Sequence, residues 1–257
     1  MSLLVKGVSV VIPAWNEEHR LGATLGEYLP ALESLGRPFE VIVVTDGSTD
    51  GTTRVARSFE SRGVRLLEFP TRLGKGGATI RGLLQARYED VGFVDADGSL
   101  AVEDLVSIIA RLGDADGVIA SRWMAGSKVP GRLPAVRRFA SRSWNLMVRL
   151  LLALPYHDTQ CGAKFFRSYA LQDVLHRVEV MNWAFDVAIL FHLRRAGFSI
   201  IEVPVTWRHD DRSKLPLVET MADMFVSLLA MRIMNLPFAH RFPRRVMDWV
   251  VEQAQQV

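Results

Sequence analysis

Asp95, Asp97 and Ser99 stand at alternate positions in "FVDADGS", at the end of a short apolar run. In extended backbone, alternate side chains point to one side, so two carboxylates and a hydroxyl can face a common ligand. Hard oxygen donors of this kind suit a divalent ion shared with phosphate and water. The same spacing suits a structural cation, or a turn at Asp97-Gly98 with Ser99 capping the next helix. A second stretch, "TRLGKGGAT" at 71–79, fails both common nucleotide-loop patterns: Lys75 is followed by glycine, and Thr79 stands where the dinucleotide pattern ends in glycine. What remains is a set of backbone amides and one lysine near a helix start, which fits an anion and equally a flexible turn. "VTWRHDDRSKL" places Arg208, His209, Arg212 and Lys214 after an apolar run, either a loop closing on phosphate or a charged surface turn. Cys161 in "HDTQCGAKFFR" has no nucleophile's partner in sight and reads as a small buried side chain.

The elements that would position these residues alternate. β-branched runs at 8–14, 39–48, 64–70, 91–99 and 117–121 are separated by helical stretches at 17–35, 50–61, 76–88 and 101–112. That rhythm predicts an α/β domain with a mostly parallel, Rossmann-like sheet and crossover helices on its faces. Ligands of such sheets collect beyond the carboxyl ends of the strands. Pro13, Ala14, Asn16 and Glu17 follow the first run, Asp46 the second, Lys75 the third, and Asp95, Ala96 and Asp97 the fourth. Four strand ends converging on acids and a lysine outline a cleft.

The second half reads as helices at 133–154, 184–196, 217–235 and 243–255, with a strand at 198–207. No linker or repeat divides the chain, so we expect one domain over 1–216 and a helical extension over 217–257. In the helix at 133–154, Arg138, Arg142, Asn145 and Arg149 fall on one face and apolar residues cover much of the rest. That pattern fits a helix lying in a membrane interface, and it fits a buried helix with snorkelling arginines. No stretch reaches the ~18 uncharged apolar residues of a membrane span.

The chain has 257 residues, 49% of them hydrophobic, and a net charge of +3. The charge is unevenly placed: no acid occurs between Asp116 and Asp158, or between Asp223 and Asp248, while both stretches carry arginines. Such regions attract phosphate on a small molecule, a nucleic acid or an anionic membrane. The aliphatic residues among them, without regular aromatic stacking positions, argue against nucleic acid. A single cysteine excludes an internal disulfide framework and fits a reducing compartment. The amino terminus reads as a first strand, not a signal peptide.

Taken in order from residue 8 to residue 215, "VSVVIPAWNEE", "VIVVTDGSTDGT", "LGKGGA", "DADGS", "ASRW", "DTQCGAKFF", "NWAFDVAIL" and "WRHDDRSKL" resemble the family 2 glycosyltransferases of the GT-A fold. Within that family they are most similar to enzymes that load a sugar onto polyprenyl phosphate, the dolichyl-phosphate glucosyltransferase and mannose synthase group. The "DTQCG.K.F" pattern leans to the glucosyl branch. The resemblance implies that Pro13, Ala14, Asn16, Glu17 and Asp46 hold the nucleotide, with Lys75, Asp95 and Ala96 beside it. Asp95 and Asp97 with Ser99 or Gln160 would bind Mg²⁺ or Mn²⁺. Arg122, Arg137 or Arg138, and Ser141 would meet the lipid phosphate, and Arg208 and Lys214 would clamp the donor diphosphate. Thr45 replaces the first of two aspartates usual in the second motif, and Asp211 stands where related mannose synthases carry glycine.

The implied activity is an inverting hexosyl transfer from a nucleotide sugar, UDP-glucose foremost, to polyprenyl or dolichyl phosphate by a protein held peripherally on the cytoplasmic membrane face. A phosphate acceptor is largely ionised near neutrality, its second pKa being about 6. It needs little general-base help, so Asp186 is expected to orient groups instead of abstracting a proton. The alternatives are a GDP-mannose-dependent mannosyl transfer, a transferase with a soluble hydroxyl acceptor, and a catalytically silent membrane- or nucleotide-binding protein. Oligomeric state is not legible.

Overall fold

The computed structural model describes residues 5–130, 135–178, 182–208 and 217–235, with side chains for all of these except 135–140 and 217–223. The first half follows the expected alternation. Strands β1 (Val5–Ala14), β2 (Phe39–Asp46), β3 (Val64–Phe69) and β4 (Tyr88–Val94) alternate with helices α1 (Leu21–Glu33), α2 (Thr52–Arg57) and α3 (Gly74–Leu83). Helix α4 (Val102–Ala110), β5 (Gly117–Ser121) and α5 (Ala135–Leu152) follow. The remainder comprises β6 (Ala163–Arg167), α6 (Ser168–Leu175), α7 (Phe185–Arg195), β7 (Ile200–Pro204) and α8 (Leu217–Met234). The helix expected at 243–255 lies outside the described residues.

All seven strands form one sheet in the order β3-β2-β1-β4-β6-β5-β7. The pairs β1–β2, β1–β4, β2–β3 and β5–β7 are parallel. Strand β6 runs antiparallel between β4 and β5. Sequence reading did not find β6 or α6. The five-residue strand "AKFFR" carries a lysine and an arginine, and it follows a polar segment that hides its apolar character. Its reversed direction has a consequence for the site: the start of β6, not its end, meets the carboxyl ends of β1, β2, β4 and β5.

Alternate residues of the buried strands feed two cores. On one face Val8, Val10, Ile12, Val41 and Val43 pack with Leu25 and Leu29 of α1 and Leu105 and Ile108 of α4. On the other, Val11, Ile42, Val44 and Phe93 pack with Ala78 of α3, Leu171 of α6 and Phe185 and Ile189 of α7. Helices α5 and α8 join that second core through Trp144, Val148 and Leu152 and through Met224, Leu228 and Met231.

Helix α5 has one face in the core and one in solvent. Trp144, Asn145 and Val148 are buried, while Arg142, Leu146, Arg149 and Leu150 are exposed. Asn145 therefore leaves the expected basic stripe, because its side chain is used inside the protein. Among the described residues no helix is long and apolar enough to cross a membrane.

Candidate functional site

The candidate site lies along the sheet edge where β1, β2, β4 and β5 end. At the end of β2, buried Asp46 accepts three hydrogen bonds on Oδ2: from Arg72 Nη1 at 2.6 Å and from the amides of Leu73 and Gly74 at 2.9 Å each. It thereby fixes the loop that starts α3 and places Lys75. Beyond β1, Asn16 adopts a positive φ of 54° and accepts from the Thr49 amide at 2.9 Å. Glu17 pairs with Arg20 through two contacts of 2.6 Å. Burial raises the Glu17 pKa, and the charges of Asp97 and Asp95 add to that against the opposing pull of Arg20. Ala14 and Ala96 are buried against the sheet and Pro13 is half-buried. These residues stand beyond the carboxyl ends of β1, β2 and β4.

Past β4 the chain turns at Gly98, whose φ is 68°. Asp97 Oδ1 accepts the Ser99 amide at 3.0 Å, so the turn is built as well as charged. Burial raises the Asp97 pKa, and the neighbouring Asp95 carboxylate raises it further. Asp95 Oδ1 instead receives Lys75 Nζ at 2.7 Å. Burial alone would lower the Lys75 pKa, but Asp95, and then Asp186 and Asp97, outweigh it and raise the net value. The Lys75 ammonium also lies over the Trp183 ring at 4.8 Å. The start of β6 closes this corner: a Cβ on Gly162 would fall within the van der Waals envelope of the Asp95 carboxylate.

On the far side, Asp186 opens α7 and is buried. It accepts Gln160 Nε2 at 2.7 Å and the Val187 amide at 2.8 Å on Oδ1, and Lys164 Nζ at 3.0 Å on Oδ2. Burial raises its pKa despite the nearby Lys164. Lys164 is wholly buried and also donates to the Cys161 carbonyl at 2.6 Å. Arg122, after β5, clasps buried Asp158 through Nε at 2.7 Å and Nη2 at 2.9 Å, and its amide donates to the same carboxylate at 3.0 Å. Burial would raise the Asp158 pKa, yet Arg122 reverses that and the net value falls. Asn145 joins α5 to this segment, accepting the Thr159 amide and hydroxyl at 2.9 Å each.

Asp46, Lys75, Asp95, Asp97, Ser99, Gln160 and Asp186 thus gather on one sheet edge as expected, but their pairing has its own pattern. Gln160 is engaged with Asp186 and Ser99 with Asp97, and Arg122 is committed to Asp158 instead of standing free. Arg208 is exposed, with Glu27 at 4.0 Å, and its amide donates to the Ser99 carbonyl at 2.7 Å. Ser141 is half-buried, and its carbonyl accepts Asn145 Nδ2 at 3.1 Å. Lys214 and the side chains of Arg137 and Arg138 lie outside the described residues. Sequence reading assigned no role to Asp158, Thr159, Lys164 or Trp183. Asp158 carried one signal, as the acid that ends a long acid-free basic stretch.

A divalent ion fits this corner on the chemistry of its donors. Asp97 and Asp95 are hard oxygen ligands, and the absent side chain of Gly162 leaves room for the carboxylate beside it. No group of three His, Cys, Asp or Glu side chains suited to a metal stands among the described residues. Phosphate oxygens and water suit an ion shared with these two carboxylates.

Residues 9–175 match the model of "Glycosyl transferase family 2". The chain is 34% identical over 228 residues to Glycosyltransferase AglD of Haloferax volcanii, covering 86% of this chain and 36% of that one. It thus spans about a third of AglD's length. It is 35% identical over 224 residues to the dolichyl-phosphate beta-glucosyltransferase of Drosophila melanogaster, covering 81% of this chain and 69% of the relative. Among solved structures, M. tuberculosis glucosyl-3-phosphoglycerate synthase, crystallised with Mn²⁺, UDP-glucose and phosphoglyceric acid, superposes with a TM-score of 0.64 at 20% identity, covering 88% of this chain and 79% of that one.

Proposed function

The chain belongs to glycosyl transferase family 2 and has the GT-A fold, and from that premise we propose that it transfers glucose from UDP-glucose to polyprenyl or dolichyl phosphate, inverting the anomeric centre. The observation that carries this reading is the corner formed by Asp97, Asp95 and Lys75 beside the Asp186–Lys164–Gln160 cluster. The names of the relatives in flies and other eukaryotes supply the acceptor class.

Pro13, Ala14, Asn16 and Glu17 border the nucleotide. Asp46 keeps the α3 loop in place with Oδ2, and its Oδ1 accepts no hydrogen bond among the described residues. Asp97, whose neighbour Asp95 is already paired with Lys75, is the carboxylate that would hold Mg²⁺ or Mn²⁺, with Ser99 fixing its orientation. When bound, the ion offsets the charge that develops on the departing nucleoside diphosphate. Lys75 adds a fixed positive charge at that site. Arg208 and Lys214 are assigned to the diphosphate from outside, and Arg137, Arg138 and Ser141 to the acceptor phosphate, while Arg122 shapes the wall through Asp158.

Asp186 already accepts three hydrogen bonds, two on one oxygen. That makes it an orienting group, consistent with an acceptor phosphate that arrives ionised. We place residues 1–216 in the catalytic domain and 217–257 in a helical extension, and the protein on the cytoplasmic face of the membrane. The test is a labelled-glucose transfer assay offering UDP-glucose and GDP-mannose to a polyprenyl phosphate, with and without EDTA. Glucolipid formed from UDP-glucose and abolished by EDTA is expected. Transfer from GDP-mannose alone, or to hydroxyl acceptors alone, would overturn the assignment.

A further inference from the structure

The Lys75 ammonium lies 2.7 Å from Asp95 Oδ1, in the corner where a divalent ion and the donor diphosphate would meet. We propose that this ion pair makes cation binding conditional on the nucleotide: Lys75 competes with a free divalent ion for Asp95, and yields that carboxylate only when a diphosphate offers the ammonium a second partner. The inference deepens the transferase reading and rests on it for the diphosphate.

Asp95 has little to give while Lys75 is on it. Oδ1 faces the ammonium, and the backbone of Gly162 packs against Oδ2, the atom that a Cβ at Gly162 would strike first. Asp186 is likewise engaged, with Lys164 at 3.0 Å. Among the described carboxylates of this corner, Asp97 alone has no ammonium on it, and it is oriented by the Ser99 amide at 3.0 Å. A free ion thus meets one available carboxylate. That is a poor site for Mg²⁺ or Mn²⁺ alone, because such ions are held by one or two carboxylates together with substrate phosphates.

The charges point the same way. Asp95, Asp97 and Asp186 with Lys75 and Lys164 leave one negative charge in net, too little to attract a divalent ion strongly. Asp186 and Asp97 also act on the Lys75 ammonium, adding to the hold of Asp95. Lys75 is therefore a resident cation close to where a second cation must enter, and two like charges at short range in a partly buried site repel strongly. A diphosphate reverses this balance. It brings negative charge, oxygen ligands for the ion and an acceptor for Lys75.

Lys75 is built to change partners. Its ammonium has three N–H donors on a flexible stem. Among the described residues Asp95 is its one ion-pair partner, and its remaining contact is the face of Trp183 at 4.8 Å. The root of the side chain is fixed, since Lys75 stands in the first turn of α3 and Asp46 holds the amides of Leu73 and Gly74 just before it. An anchored root and a singly paired head let the ammonium turn from Asp95 to a phosphate oxygen without moving the helix.

The test is Mn²⁺ binding to the full chain, read from the electron paramagnetic resonance of the free ion, without nucleotide and with saturating UDP or GDP. In the unaltered protein UDP should tighten Mn²⁺ by about 100-fold, after allowance for the ion that UDP itself holds, and by linkage Mn²⁺ should tighten UDP by the same factor. Lys75→Gln should bind Mn²⁺ alone about ten-fold more tightly than the unaltered protein, and UDP should then add less than about ten-fold. Lys75→Arg keeps the charge and should show no such gain. Lys75→Gln/Asp95→Asn should lose the gain, because the released carboxylate is its source.

Unchanged or weaker Mn²⁺ affinity in Lys75→Gln without nucleotide would overturn the proposal. So would a gain that survives in the double variant, which would mark a general effect of charge and not a freed Asp95. The unaltered protein tests the idea without any substitution: Mn²⁺ bound equally tightly with and without either nucleotide overturns it. The transferase reading fails separately. Coupling through GDP and not UDP sinks the UDP-glucose assignment and leaves Lys75 its role, whereas glucose transfer from UDP-glucose without coupling sinks the role of Lys75 alone.

Discussion

Asp97 and Lys164 illustrate two ways in which a single side chain matters at this site. Asp97 holds a charge that burial and Asp95 both disfavour, and a cation relieves that tension. Asp97→Ala should therefore lower glucose transfer by a factor of about 10² or more, with the fold intact by circular dichroism and the residual activity insensitive to added Mn²⁺. Lys164 is the counter-charge for Asp186, and both are buried. Lys164→Met leaves that carboxylate without its partner, and breaking a buried pair in this manner costs about 3–5 kcal/mol. Urea unfolding should show that loss, and Lys164→Met/Asp186→Asn should recover part of it because the stranded charge is gone. No recovery in the double variant would mean that Lys164 acts through packing alone.

At the scale of elements, the strand–helix alternation of the first half was readable because each buried parallel strand is a short β-branched run closed by turn residues. The convergence of Asp46, Lys75, Asp95 and Asp97 was readable for the same reason, since parallel strands end on one edge. Strand β6 was not readable. Its lysine is buried only because Asp186, from a different element, faces it, and a local pattern carries no trace of such a partner. The same applies to Asn145: helical spacing put it on one face with the arginines, whereas Thr159 draws it inward. Asn145→Leu should leave the Thr159 amide and hydroxyl unpaired in a buried place, at a cost of about 1–3 kcal/mol. Thermal unfolding would detect it, and an unchanged Tm would show that α5 is held by Trp144, Val148 and Leu152 alone. Cys161, next in this segment, is buried and its thiol is pushed up to about 12. It should react with a thiol reagent only as the protein unfolds, at a rate that tracks global unfolding.

In the molecule as a whole, the two cores share one sheet, and helix α7 links the site to the periphery. It carries Asp186 in its first turn and His192 in its last, and Asn182 just ahead of it donates to Ser227 of α8 at 2.8 Å. Loss of α7 would release both the Asp186–Lys164–Gln160 cluster and the helix packed beside α5, so the protein should unfold in one transition. His192 gives that transition a pH dependence. Burial, with the charges of Arg177 and Arg195 adding to it, pushes the His192 pKa from 6.5 down to about 4. The unfolded chain takes up a proton near pH 6.5 that the folded protein refuses until about pH 4, so stability rises with pH across this window. The contribution is fully present above the unfolded value and is lost as pH falls towards the folded one. Carboxylates also titrate at the acid end, and His192→Gln, which carries no ionisable group there, separates the two. The urea midpoint of the unaltered protein should fall more steeply between pH 6.5 and 4 than that of His192→Gln, with parallel behaviour above pH 7. Equal slopes for the two proteins would show that His192 protonates as readily in the folded chain as in the unfolded one.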